Sequence, residues 1–383
     1  MGRFFKWIGG LAIVALLALA AGYVALTTGM FEMPLAEIEA KYQLPESRWI
    51  DIDGIRVHYT DQSPPNVQNA PAVVLAHASF MSLHSWESLT KALLANGYRV
   101  IRMDFMSLGL TSSDTKGINN QERNIQILKE VPERLGVSKY HLVGTSSGGQ
   151  TAFIHAGRNP ERVERFVLIN SGGMPRTAQS NPNRPRGSFI HQFITANYRS
   201  YDQWKSDLEN NMPSLRPIPP ALIERVHDMN RREGLRPIAA EYLRNFKTGD
   251  TAAYLAQVKA PTMILQGMAN PTLVHTEAEV QSYWMTGAPS IIRKYPKLGH
   301  YPYMESPAEV EADILAFFSG ALDGELRQTM RAPVVAQAGM PATESAPAVP
   351  ATTVDETTPP VSEPTMEPTT VTPPVASPPA TPN

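Results

Sequence analysis

His141-Leu142-Val143-Gly144-Thr145-Ser146-Ser147-Gly148-Gly149 sets a serine between two glycines where a strand-like run meets a helical one. Tyr140–Val143 has a short β-rich composition, and Ser147–Asn159 has a helical pattern. Gly144-x-Ser146-x-Gly148 therefore spans a strand-to-helix turn, the setting in which a serine is held in a sharp bend with its hydroxyl exposed. The flanking glycines leave room where bulkier neighbours would clash. A serine hydroxyl needs a base to take its proton. Far downstream, Leu298-Gly299-His300-Tyr301-Pro302 follows the last β-rich run and precedes the final helical pattern, which makes His300 the candidate base. Serine first and histidine last is the chain order of this motif class.

On either side of this turn, strand-like and helix-like runs alternate. Arg48–Asp51 and Ile55–Thr60 flank Asp53-Gly54, a hairpin signal. Ala72–Ala76, Tyr98–Met103, Arg165–Ile169, Thr262–Gln266 and Ser290–Tyr295 are further β-rich runs, with helical patterns at Ser85–Asn96, Asn119–Leu135 and Pro307–Ser319. Such alternation predicts an α/β fold with a mostly parallel sheet and helices on both faces. Residues 171–250 break the rhythm, with helical runs at Phe189–Tyr198, Ala221–Arg232 and Ile238–Phe246. This insertion after the sixth strand reads as a helical cap over the carboxyl edge of the sheet, where open α/β sheets bind ligands. Tyr198, Tyr201 and Trp204 in the cap are suited either to an apolar pocket or to packing on the sheet.

The ends of the chain differ from its middle. Arg3 and Lys6 precede an uncharged apolar stretch, and Ile8–Leu26 is long enough to cross a hydrocarbon core of about 30 Å. Basic residues before the span favour a cytoplasmic N-terminus, with the rest of the protein outside as a single-pass periplasmic or extracellular domain. Ala18-Leu19-Ala20 offers the competing reading of a cleaved signal peptide, but the apolar run exceeds the usual length for one. At the other end, 13 of the 34 prolines fall after residue 330 and no aromatic follows Phe318, a composition that leaves the chain disordered. The expected layout is an anchor over 1–31, a linker over 32–48, a catalytic domain over 49–320 and a tail over 321–383. The net charge of −2 in 383 residues argues against a basic nucleic-acid face. With no cysteine, disulfides, thiolate metal sites and cysteine nucleophiles are excluded, and the nine histidines show no paired metal spacing.

Ala76-His77-Ala78-Ser79-Phe80, Asp104, the serine turn, Gln266-Gly267-Met268-Ala269-Asn270-Pro271 and Gly299-His300 together resemble the α/β-hydrolase superfamily over about 270 residues. The resemblance implies an eight-stranded sheet with a cap, and an oxyanion hole from the backbone N–H groups of Ser147 and Ser79. It implies no metal or organic cofactor. His77-Ala78 replaces the usual His-Gly, and His77 is expected to be structural. The acid is the marked departure. The superfamily places an Asp or Glu after the seventh strand to orient the histidine, and Asn270 stands there; relatives that supply the acid after the sixth strand are matched by Asn170, again an amide.

Losing that acid in a serine protease costs about 10⁴ in kcat because the histidine adopts the wrong tautomer. Three alternatives follow. Asn270 orients His300 in a slowed hydrolase; another carboxylate (Asp250, Glu277 or Asp104) approaches His300; or the pocket has retired into ligand binding or signalling. The expectation carried forward is a monomeric, membrane-anchored serine esterase acting on a small apolar ester or acyl substrate through Ser146 and His300.

Overall fold

The computed structural model describes residues 2–174, 193–195, 197–236, 249–273 and 275–327, with isolated positions at 188, 238 and 241. Eight strands form one sheet: β1 (Arg48–Ile52), β2 (Ile55–Gln62), β3 (Ala72–Ala76), β4 (Arg99–Met103), β5 (Tyr140–Thr145), β6 (Val163–Ile169), β7 (Thr262–Gly267) and β8 (Ser290–Tyr295). Their order is β1-β2-β4-β3-β5-β6-β7-β8. β2 runs antiparallel to β1 and β4, and every pairing from β4 through β8 is parallel.

The residues explain this arrangement. Asp53 and Gly54 both have positive φ, 50° and 91°, as a tight two-residue hairpin turn requires. The central strands are apolar on both faces, as buried parallel strands are. Val74 and Leu142 join one core cluster with Phe153 and Phe166, while Val73, Leu75 and Val143 join the other with Trp86, Tyr303 and Phe317. Alternate residues of each strand thus feed opposite layers of helix. The loops carrying Ser79, Ser146, Asn170, Asn270 and His300 all leave carboxyl ends of parallel strands, so the topology gathers them at one edge.

In the cap, the run expected at Ala221–Arg232 forms a helix over Pro220–Met229, and a further helix covers Tyr201–Asn211. Ser200 and Gln203 start the latter with a reciprocal capping box. Half of the run at Phe189–Tyr198 and most of that at Ile238–Phe246 fall outside the described residues. Trp204 is buried and its ring lies 5.5 Å from that of Phe80, so it packs in the core.

Two boundaries change. Residues 32–48, expected to be a plain linker, contain a docked helix at Leu35–Tyr42. Its Ile38 is fully buried, and Lys41 pairs with Glu224 and Asp228 of the cap at 2.6 and 2.7 Å. Residues 321–327, assigned to the tail by composition, fold against the sheet. Arg165 pairs with Asp323 at 2.7 Å, and Arg327 bridges to Ser290 beside β8. The tail from residue 328 lies outside the described residues. At the N-terminus a helix over Gly2–Thr27 includes a segment, Gly10–Thr27, long and apolar enough to cross a membrane, none of it buried against the rest of the protein.

Buried histidines give the fold a pH dependence. Burial pulls His84, His141 and His300 down to about 4 and His155 to about 3. All four are neutral in the folded protein at pH 7, whereas an unfolded chain protonates them below about 6.5. The unfolded state therefore binds more protons between pH 6.5 and 4, so stability is fully present above that window and lost as pH falls through it. The urea midpoint is expected to fall steeply from pH 6.5 to pH 4, with a net uptake of protons on unfolding near pH 5. A midpoint that stays flat across this window would show these rings to be solvated.

Candidate active site

Ser146 sits where β5 passes into the helix Ser146–Arg158, with φ 51°, a left-handed conformation rare for a non-glycine residue. The neighbouring glycines make that bend possible. A Cβ on Gly144 would lie 2.7 Å from that of Ala152, and one on Gly148 would lie 2.5 Å from the Ala76 carbonyl oxygen and against that of His77. The strain is concentrated at the one residue whose hydroxyl the turn presents.

The distant histidine arrives as expected. His300 Nε2 lies 3.0 Å from Ser146 Oγ, although 154 positions separate them. Its loop is held from several sides. The His300 N–H donates to the carbonyl of Asn211 in the cap at 2.6 Å, and the Gly299 N–H donates to the Glu305 carboxylate at 2.7 Å. Asn170 Nδ2 donates to the carbonyls of Gly299 and His300 at 2.9 and 3.0 Å, while its Oδ1 accepts from the Gly267 N–H at 3.1 Å. Asn170 thus clips the histidine loop to the end of β7. A Cβ on Gly267 would run into the Gly299 carbonyl, so the two loops touch backbone to backbone.

The third member is Asn270, whose Nδ2 is 3.0 Å from His300 Nδ1. Its amide orientation is fixed by the turn that follows, because Oδ1 accepts from the N–H groups of Thr272 and Leu273 at 2.9 and 3.4 Å. Backbone N–H groups only donate, so the oxygen must face them and the NH₂ must face the ring. An NH₂ also only donates, which makes Nδ1 the acceptor. His300 is neutral, its pKa held at about 4 by burial, so its single ring proton belongs on Nε2. Nε2–H then donates to Ser146 Oγ. This is the reverse of the polarity a general base needs.

Among the other carboxylates weighed for this role, Asp104 and Asp250 are engaged elsewhere and Glu277 stands in the first turn of a helix. Asp104 binds His58 Nδ1 at 2.7 Å and the amides of Leu83 and Leu110. Asp250 caps the helix Thr251–Gln257 through the Ala253 N–H, and Glu277 opens the helix Glu277–Trp284. His77 is structural: Nδ1–H donates to the Ala78 carbonyl at 2.8 Å and Nε2 accepts from the Phe105 N–H at 3.0 Å.

At the expected oxyanion hole the Ser79 N–H already has a partner. It donates to Ser147 Oγ at 2.7 Å, and Ser79 Oγ donates to the same oxygen at 2.8 Å. A developing oxyanion must displace that hydroxyl. Ser147→Ala removes it while keeping the Ser147 N–H, and is expected to raise turnover of a short ester about tenfold, against the 10²–10³ that a whole donor is worth. Steady-state kinetics at saturating ester check this. A fall in rate would show that the hydroxyl assists the reaction.

The family profile described as alpha/beta hydrolase fold matches residues 71–307. The chain belongs to the α/β-hydrolase fold family. Among its relatives is a 2-hydroxy-6-oxononadienedioate/2-hydroxy-6-oxononatrienedioate hydrolase of Klebsiella pneumoniae, 27% identical over 288 residues, covering 72% of this chain and 96% of the relative. Among solved structures, a bacterial membrane phospholipase A superposes with a TM-score of 0.59 at 21% identity, covering 84% of this chain and 99% of that one. A meta-cleavage product hydrolase from Pseudomonas fluorescens gives 0.59 at 19%, covering 72% and 98%. Within this hydrolase fold the serine turn and the terminal histidine were readable from sequence. The clips from Asn170, Asn211 and Glu305 were not, since nothing local marks which polar side chains return to the histidine loop.

Proposed function

We propose that this protein is a slow serine hydrolase of ester or related acyl bonds, held at a membrane by its N-terminal helix with the catalytic domain outside the cytoplasm. The observation that carries the reading is Ser146 Oγ, presented at a strained bend, 3.0 Å from His300 Nε2. In the reaction Ser146 attacks the carbonyl, His300 takes its proton and returns it to the leaving group, and water resolves the acyl-enzyme. The N–H groups of Ser147 and Ser79 receive the oxyanion once the Ser147 hydroxyl turns aside.

The reading is of a slow enzyme because the reactive tautomer must be bought against Asn270. Placing the ring proton on Nδ1 sets it against the amide NH₂, or else flips the amide away from Thr272 and Leu273. The 2-hydroxy-6-oxononadienedioate/2-hydroxy-6-oxononatrienedioate hydrolase relative supports hydrolytic chemistry at this site. Phe80, exposed next to Ser79, suits a small apolar acyl group. A ligand-binding role without turnover is the second reading, favoured by the polarity at His300 and by the occupied Ser79 amide.

A fluorophosphonate probe followed by peptide mapping tests the proposal on full-length protein in detergent. Label on the Ser146 peptide, together with ester turnover abolished in Ser146→Ala, is the expected result. An unlabelled Ser146 in folded protein moves the assignment to binding. Membrane fractionation with N-terminal sequencing tests the anchor, and a chain starting beyond Ala20 would mean a cleaved signal.

A further inference from the structure

The mechanism leaves unused a second serine–histidine–carboxylate array, far from Ser146 in sequence and built on different elements. Ser47 Oγ lies 2.7 Å from His58 Nε2, and His58 Nδ1 lies 2.7 Å from Asp104 Oδ2. His58 and Asp104 are fully buried, while Ser47 is half-buried on the turn between the helix Leu35–Tyr42 and β1. The members are firmly placed. His58 is on β2 and its ring lies 5.2 Å from that of Trp49; Asp104 also accepts from the N–H groups of Leu83 and Leu110 at 2.7 and 2.9 Å. Ser47 Oγ accepts from the Leu44 N–H at 2.8 Å.

The polarity of this array is opposite to that at His300. A carboxylate only accepts, so Asp104 fixes a proton on His58 Nδ1 and leaves Nε2 as the ring nitrogen placed to accept from Ser47 O–H. Burial pushes the Asp104 carboxyl up, but the hydrogen bond from His58 outweighs it and holds the carboxyl well below its usual range. The acid that the first site lacks is therefore present here, in the tautomer-setting position that Asn270 cannot fill. A buried His–Asp pair is satisfied structurally by its Nδ1 bond. What goes further is a hydroxyl on a half-buried residue at the other ring nitrogen, with its lone-pair direction set by the Leu44 amide.

We propose that Ser47 is a second activated hydroxyl, one that accepts an acyl group from compact activated esters. Ser47 Oγ forms a bond to the carbonyl carbon as its proton passes to His58 Nε2. Collapse of the adduct breaks the bond to the leaving oxygen, which departs with that proton as the free alcohol or phenol, and the acyl group remains on Ser47. No oxidant, metal or further reactant enters.

The proposal is independent of turnover at Ser146, so the test uses full-length Ser146→Ala in detergent with p-nitrophenyl acetate, read by intact mass and peptide mapping. One acetyl group on the Ser47 peptide is expected, formed at least about tenfold faster than on the exposed Ser63 of the same chain, since a positioned base contributes about 10²–10⁴. Adding His58→Gln is expected to remove that advantage. Acetylation of Ser47 no faster than of Ser63 overturns the proposal, and this ratio decides even if the His58 variant does not fold. Ester turnover lost in Ser146→Ala while Ser47 still acetylates separates the two sites; an inert Ser146 with a reactive Ser47 sinks only the function proposed above.

Discussion

Asn270→Asp is expected to raise turnover of a short-chain ester by about 10³–10⁴-fold, the inverse of the loss when a serine-protease aspartate becomes asparagine. In barrier terms this is about 4–5.5 kcal/mol. The new carboxylate keeps one oxygen on the Thr272 and Leu273 amides and turns the other to His300 Nδ1. Being only an acceptor, it forces the ring proton onto Nδ1 and frees Nε2 to accept from Ser146. The added charge also lifts His300 from about 4, so the pH–rate profile, flat down to about pH 5 in the parent, is expected to bend at a higher pH in the variant. Steady-state kinetics over pH 4–9 check both effects. An unchanged rate and profile would mean that His300 is oriented by another group.

Gly148→Ala is expected to lower stability by about 3 kcal/mol or more, beyond the usual cost of one surplus methyl group. The added carbon would lie 2.5 Å from the Ala76 carbonyl oxygen and against that of His77. Both are backbone atoms at the end of β3, so no side chain can swing aside; either the helix Ser146–Arg158 or the loop bearing Ser79 must shift. At about 2–4 °C per kcal/mol for a domain of this size, Tm falls by about 6–12 °C. Differential scanning calorimetry checks it, and a change under about 2 °C would show that the turn has slack.

Much of this site was legible because it is written locally. The Gly-x-Ser-x-Gly turn and the strand-then-histidine order rest on short-range geometry, and the sheet rests on apolar runs that only a doubly covered strand tolerates. Asn270 was visible as an amide in the acid's place. Its consequence was not, because which end of the amide faces His300 depends on the N–H groups of Thr272 and Leu273, and hence on a turn conformation. Ser147 was visible as a backbone donor, but not as the hydroxyl that occupies the Ser79 amide. The docked helix at Leu35–Tyr42 escaped for another reason: Lys41 finds Asp228 across 187 positions, a pairing no local pattern records.

That docking is not the only tie. Arg236 grips the backbone at Leu26 and Thr27 with both ends of its guanidinium, donating to Thr27 at 2.7 Å. The cap is thereby lashed to the polypeptide entering from the front at Leu26–Thr27, at Glu32–Leu35 and at Lys41. A shortened version trimmed of its first 31 residues for ease of handling cuts one of those lashings, and what it reports about substrate access belongs to a looser lid than the intact protein carries.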